Sequence, residues 1–179
     1  MAKMMANGRN MPAAPPPNKP PADGVRAFVD LPKKRMAAGV LFRAVDGRVL
    51  LVEPSYKPNW EIPGGIVEDD ESPWAGAARE LREELGSERP VGRLLVVDHV
   101  HAYDGRPDGM IFVFDGGVVT DADVAAFSFA DGEILSAGLY TPSEVRTLGK
   151  PLLADRLEAA VEAAQEGVVV LCEHGKRVR

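Results

Sequence analysis

Between Pro73 and Leu85 the chain reads PWAGAARELREEL, and three carboxylates crowd onto a little over one helical turn. Glu80 and Glu84 form an i, i+4 pair, and Glu83 joins both through i+3 spacing and adjacency. Like charges so placed cost a helix roughly 0.2–0.5 kcal/mol per pair. All three also stand near the negative end of the macrodipole, where anions are least welcome. Arg79, four residues before Glu83, and Arg82 offset part of this on a solvated face. The remainder favours occupation by hard cations, which take oxygen donors and keep positions for water and substrate phosphates. Upstream lie Pro63-Gly64-Gly65 and an acidic loop, Glu68-Asp69-Asp70-Glu71. Paired glycines let backbone turn tightly and approach a ligand closely.

Written from Gly65 to Ser87 the segment is GIVEDDESPWAGAARELREELGS. It resembles the Nudix box, G-x5-E-x7-R-E-U-x-E-E-x-G-U with U bulky and aliphatic. Gly65, Glu71, Arg79, Glu80, Leu81, Glu83, Glu84 and Gly86 match; Ser87 departs at the last U, a packing position. Trp60-Glu61-Ile62-Pro63-Gly64-Gly65 is similar to the family's usual lead-in. The resemblance implies an α/β/α sandwich over about residues 36–170, with Mg²⁺- or Mn²⁺-dependent hydrolysis of a nucleoside diphosphate linked to another moiety. Nucleotide sugars and nucleoside triphosphates are substrates of that type. By the same resemblance Glu80 and Glu84 are the principal metal ligands, with Glu83 beside them and the Gly64 carbonyl added. Arg79 then orients a helix glutamate and Glu71 braces the loop. A homodimer is also implied, because many relatives form one.

The family often adds a carboxylate from outside the box. Glu133, just before an expected strand, is the candidate, with Asp104 and Asp108 as competitors. A glutamate then takes the proton of the attacking water, Glu83 or Glu133. For substrate, Lys57 and Arg106 are candidate phosphate contacts. Tyr56, Trp60, Tyr103 and Phe112 are aromatics near loops or strand ends, able to stack on a base or to fill the core. His99 and His101 alternate along a strand and share a side, but with no third ligand in view a zinc site is not expected. Isopentenyl diphosphate isomerisation, known within the same fold, uses a cysteine. Cys172 is too far from the box to supply it.

The positioning elements follow from pattern. Ser72 as N-cap, Pro73 at the first turn and Gly86 at the left-handed position bound a helix over 73–85. Its apolar sector, Trp74, Ala78, Leu81 and Leu85, is expected to face the sheet, with the glutamates on another side. Strands are expected at 38–42 and 49–52 around an Asp46-Gly47 turn, at 60–62, at 93–101, at 111–114 and within 127–140. A short helix near 143–148 capped by Thr141 or Ser143, a helix over 151–166 and a last strand at 168–171 complete a mixed α/β class with a partly antiparallel sheet.

Of 179 residues, the first 35 carry seven of the fifteen prolines and a net charge of +5; residues 36–179 carry −11. The leader is expected to be a disordered, basic, Pro-rich arm, ahead of a domain over 36–179. An acidic body argues against duplex nucleic acid as partner, and no apolar run reaches the roughly 18 residues of a membrane span. One cysteine excludes an internal disulfide, and with no signal-like segment the expectation is a cytoplasmic enzyme with a small phosphorylated nucleotide as partner. Two alternatives stand beside it: a catalytically silent nucleotide sensor of the same fold, and an RNA 5′-end pyrophosphohydrolase aided by the basic arm.

Overall fold

The helix expected from Ser72, Pro73 and Gly86 forms over Pro73–Leu85 (α1), and its two ends show why. Ser72 Oγ accepts the Ala75 N–H at 3.1 Å, while Gly86, at φ 60°, returns its N–H to the Arg82 carbonyl at 3.0 Å. A computed structural model describes residues 31–103, 105–130 and 132–178. The leader expected over 1–35 thus lies, for residues 1–30, outside the described residues, and so does Asp104.

Eight strands make one sheet: β1 Arg35–Arg43, β2 Val49–Pro54, β3 Gly64–Ile66, β4 Leu94–Val100, β5 Gly109–Val118, β6 Ile134–Tyr140, β7 Val170–Glu173 and β8 Lys176–Arg177. Their order is β6-β2-β1-β5-β4-β7-β8, with β3 added to β1. β1 with β5 and β4 with β7 run parallel, and the other pairs antiparallel, which gives the mixed sheet expected. β1 divides its second edge: Ala37, Ala38 and Gly39 pair with Ile66, Gly65 and Gly64, whereas Arg43 pairs with Val49. Trp60–Ile62 makes only a bridge, Val52 to Glu61, since the Pro63 ring ends the pairing and the strand proper starts at Gly64.

The pleat sorts β1 side chains between two cores. Val40 and Phe42 pack with Leu50, Leu81 and Leu85 beneath α1, while Leu41 faces the opposite layer with Leu51, Leu95 and Val113. Among the described residues, α2 Asp121–Ala125 lies by Phe127 on the α1 side, whereas α3 Pro142–Leu148 and α4 Pro151–Glu166 close the opposite layer. Helices on both faces of the sheet make the α/β/α sandwich. Thr120 and Thr141 each complete a reciprocal cap with Asp123 and Glu144. Residues Lys34–Arg179 form one compact unit. No described helix is long and apolar enough to cross a membrane.

Two details depart from the helical-wheel expectation. Trp74 is exposed, its indole N–H donating to the Val91 carbonyl at 3.1 Å, and Ala77 takes its place in the core. Trp74 stands in the first turn, where its side chain is held by this bond rather than by the core. Glu84 is buried rather than grouped on the open side. Asp98 is fully buried in β4 and accepts from Arg156 Nε of α4 at 2.7 Å and from the Gly175 N–H at 3.0 Å. Cys172 is buried in β7, and burial pushes its thiol up to about 11.

Candidate active site

β3 is wedged between β1 and α1, and this tight fit explains the glycine pair. Gly64 adopts φ 141°, and a Cβ there would overlap the Ala38 carbonyl. At Gly65 a Cβ would collide with the Glu80 carboxylate. The Gly64 N–H donates to Glu84 Oε2 at 2.8 Å, so the buried glutamate fastens loop to helix.

The three glutamates form a gradient of exposure. Glu84 is buried, the Glu80 side chain is 14% exposed and the Glu83 side chain 52%. Arg79 is the cation among them. Its Nη1 donates to Glu80 at 3.0 Å and to Glu83 at 2.8 Å, its Nε to Glu71 at 3.1 Å, and its Nη2 to Glu71 at 3.2 Å and the Ile66 carbonyl at 3.0 Å. Glu71 also accepts the Glu68 N–H, at 3.1 Å, which closes the acidic loop. Ser87, the mismatched position, is buried and accepts the Arg89 N–H at 3.3 Å.

Electrostatics divide the carboxylates. The Arg79 guanidinium and the Glu68 N–H hold Glu71 below the ordinary carboxylate range. Burial pushes Glu80 upward despite Arg79, and the charges of Glu83 and Glu133 add to the rise. Glu133, in the loop before β6, is thus near enough for its charge to act on Glu80, and its carbonyl accepts the Ser55 N–H at 2.8 Å. Asp108 does not join: it pairs with Lys34 and faces His99 instead.

The glycine pair also borders a cleft of about 240 Å³ beside β1. Tyr56, Lys57 and Arg106, far apart in sequence, all line it. Lys57 lies 4.8 Å from the Tyr56 ring centroid and 2.7 Å from Glu61. Tyr103 lines the cleft, while Phe112 packs beneath α1 and Ile111, its neighbour on the opposite pleat, takes the cleft side. Trp60 reaches the cleft wall with its ring edge-on to Tyr140 at 5.0 Å. Arg35, Lys150 and Arg156 complete a cationic lining against one described carboxylate, Glu61. Sequence reasoning passed over these three cations, because nothing local marks a residue that topology carries to a distant cleft.

The donor set of α1 is all oxygen and is under-compensated by one guanidinium, which fits hard divalent cations and not soft ones.

A family model described as the NUDIX domain matches residues 33–161. The chain is 35% identical over 133 residues to a MutT-like protein of Streptomyces ambofaciens, covering 71% of this chain and 76% of that one. It is 47% identical over 64 residues to diphosphoinositol polyphosphate phosphohydrolase 2 of Rattus norvegicus, covering 35% of this chain and only 36% of that relative. A crystal structure of UDP-X diphosphatase superposes with a TM-score of 0.66 at 18% identity, covering 84% of this chain and 72% of that one, a likeness of fold.

Proposed function

The chain belongs to the NUDIX family, and on that footing we propose that it hydrolyses the pyrophosphate bond of a nucleoside diphosphate linked to another moiety. The observation carrying this reading is the joining of Glu84 to Gly64, which brings the α1 carboxylates to the rim of a cationic, aromatic-lined cleft. The activities for which those relatives are named, on a diphosphoinositol polyphosphate and on UDP-X, are compatible with a phosphoanhydride substrate.

In this reading Glu80, Glu83 and Glu84, with the Gly64 carbonyl, hold Mg²⁺ or Mn²⁺. Such ions, when bound, supply the positive charge that shields a pyrophosphate and eases proton loss from the attacking water. Arg79 fixes Glu80 and Glu83 in mutual register and touches no substrate. Glu83 or Glu133, the more exposed carboxylates, accept the water proton. Lys57 and Arg106 face substrate phosphates, and Tyr56 offers a ring for stacking. Ligand sites for molecules of drug size span ~300–1,000 Å³. The smaller cleft therefore takes one end of the substrate and leaves the bond to be cut over α1.

The test is a panel of nucleoside diphosphate derivatives with Mg²⁺ or Mn²⁺, products identified by mass spectrometry in ¹⁸O-water. Nucleoside monophosphate plus a phosphorylated second product, one of them carrying ¹⁸O, is expected. Tight nucleotide binding with no turnover on any panel member would instead make the protein a sensor.

A further inference from the structure

All three histidines of the chain meet at one end of the β4–β7 strand pair. His99, one residue before the end of β4, stands opposite Glu173 of β7 in the parallel register, and His101 follows on the same side. His101 Nε2 stands 3.3 Å from Glu173 Oε1, and His99 Nδ1 stands 4.0 Å from the same oxygen. One donor atom from each of His99, His101 and Glu173 lies within 4.8 Å of the other two. The other face of His99 is also engaged, with Nε2 3.5 Å from Asp108 Oδ2. His174, at φ 51°, stacks on His101 with ring centroids 5.6 Å apart.

We propose that His99 Nδ1, His101 Nε2 and Glu173 form a site for a borderline divalent ion, Zn²⁺, distinct from the carboxylates of α1. Two imidazoles and one carboxylate select such an ion over Mg²⁺, which wants oxygen alone. Bonds of about 2.0–2.2 Å place neighbouring donors of a tetrahedron about 3.3 Å apart. His101 and Glu173 already stand at that separation, and His99 closes onto them from 4.0 Å to the shared oxygen. Asp108 supplies an independent sign. A ligating histidine donates its second ring N–H to a carboxylate, which fixes the tautomer and leaves the other nitrogen bare for the ion. Asp108 lies where Nε2 of His99 needs that acceptor. Three protein ligands leave a fourth position for water. The ion would pin the β7–β8 turn, already tied to Asp98 through the Gly175 N–H, to the end of β4.

Calorimetric titration of the full chain with ZnCl₂ tests this, with excess Mg²⁺ present to keep the α1 carboxylates occupied. One equivalent binding at micromolar or tighter affinity is expected, with visible d–d bands of a tetrahedral site when Co²⁺ replaces Zn²⁺. His101→Ala and Glu173→Gln should each weaken binding beyond tenfold and Asp108→Asn by about tenfold, all with unchanged circular dichroism. Glu80→Gln should leave Zn²⁺ affinity as it is. Millimolar uptake, uptake indifferent to His101→Ala and Glu173→Gln, or uptake lost with Glu80→Gln overturns the proposal.

Discussion

Glu84 Oε2 accepts the backbone N–H of Gly64 across 2.8 Å, although twenty residues separate them. One buried carboxylate thus closes the loop against the helix and belongs to the proposed cation set. The two roles separate by mutation.

Glu84→Gln keeps an acceptor for Gly64 and removes the charge, so it is expected to hold near-native stability while turnover falls at least about 100-fold. Glu84→Ala strands the Gly64 donor and should cost about 1.5–3 kcal/mol as well. Denaturant melts alongside turnover on a confirmed substrate distinguish the pair; equal destabilisation in both variants contradicts the assignment.

Arg79→Lys tests whether the forked guanidinium matters beyond its charge. Lysine offers one compact point charge and cannot span Glu71, Glu80, Glu83 and the Ile66 carbonyl together. Misplacement of the helix glutamates by an ångström is expected to lower kcat by about 100-fold with little change in KM. Retention of kcat in this variant would show that charge alone suffices.

Glu71 and Glu80 answer pH with opposite signs. Glu71 is held below its ordinary 4.5. Its contribution to stability is therefore present above 4.5 and is lost as pH falls through the lowered value. Glu80 is raised, so its ionisation costs stability as pH climbs from 4.5 through the folded-state value. In chelator at neutral pH, Glu71→Gln should melt lower than the parent and Glu80→Gln higher, with both gaps closing in acid. Thermal midpoints along an acid-to-neutral series check this, and shifts of the same sign refute it.

Arg156→Ala removes the partner of the fully buried Asp98. An uncompensated interior charge costs about 3–5 kcal/mol, so a large drop in the denaturation midpoint is expected. Asp98→Asn/Arg156→Met should recover part of it, which a double-mutant comparison measures directly.

Legibility from sequence followed the range of the interactions. α1 was readable to the residue because Ser72, Pro73 and Gly86 act within a few positions, and α4 was readable over 151–166 from its run of Ala and Leu. α2 escaped, although Thr120 and Asp123 carry its cap, because five residues give no hydrophobic period. The wheel misplaced Trp74 and Glu84: helical periodicity says which residues share a side, while the extent of the sheet decides how much of that side is covered. The carboxylates of α1 were legible through spacing. Arg35, Lys150 and Arg156 were not, nor was Glu173 as a third partner for His99 and His101, since strand order alone brings them together.

The seclusion of Cys172 has a practical use. A thiol so reluctant to ionise, and shut away in β7, reacts with alkylating reagents only when that strand peels open. Its labelling rate is therefore a clock for breathing of the β7 edge, readable in a chain with no second sulfhydryl to blur it.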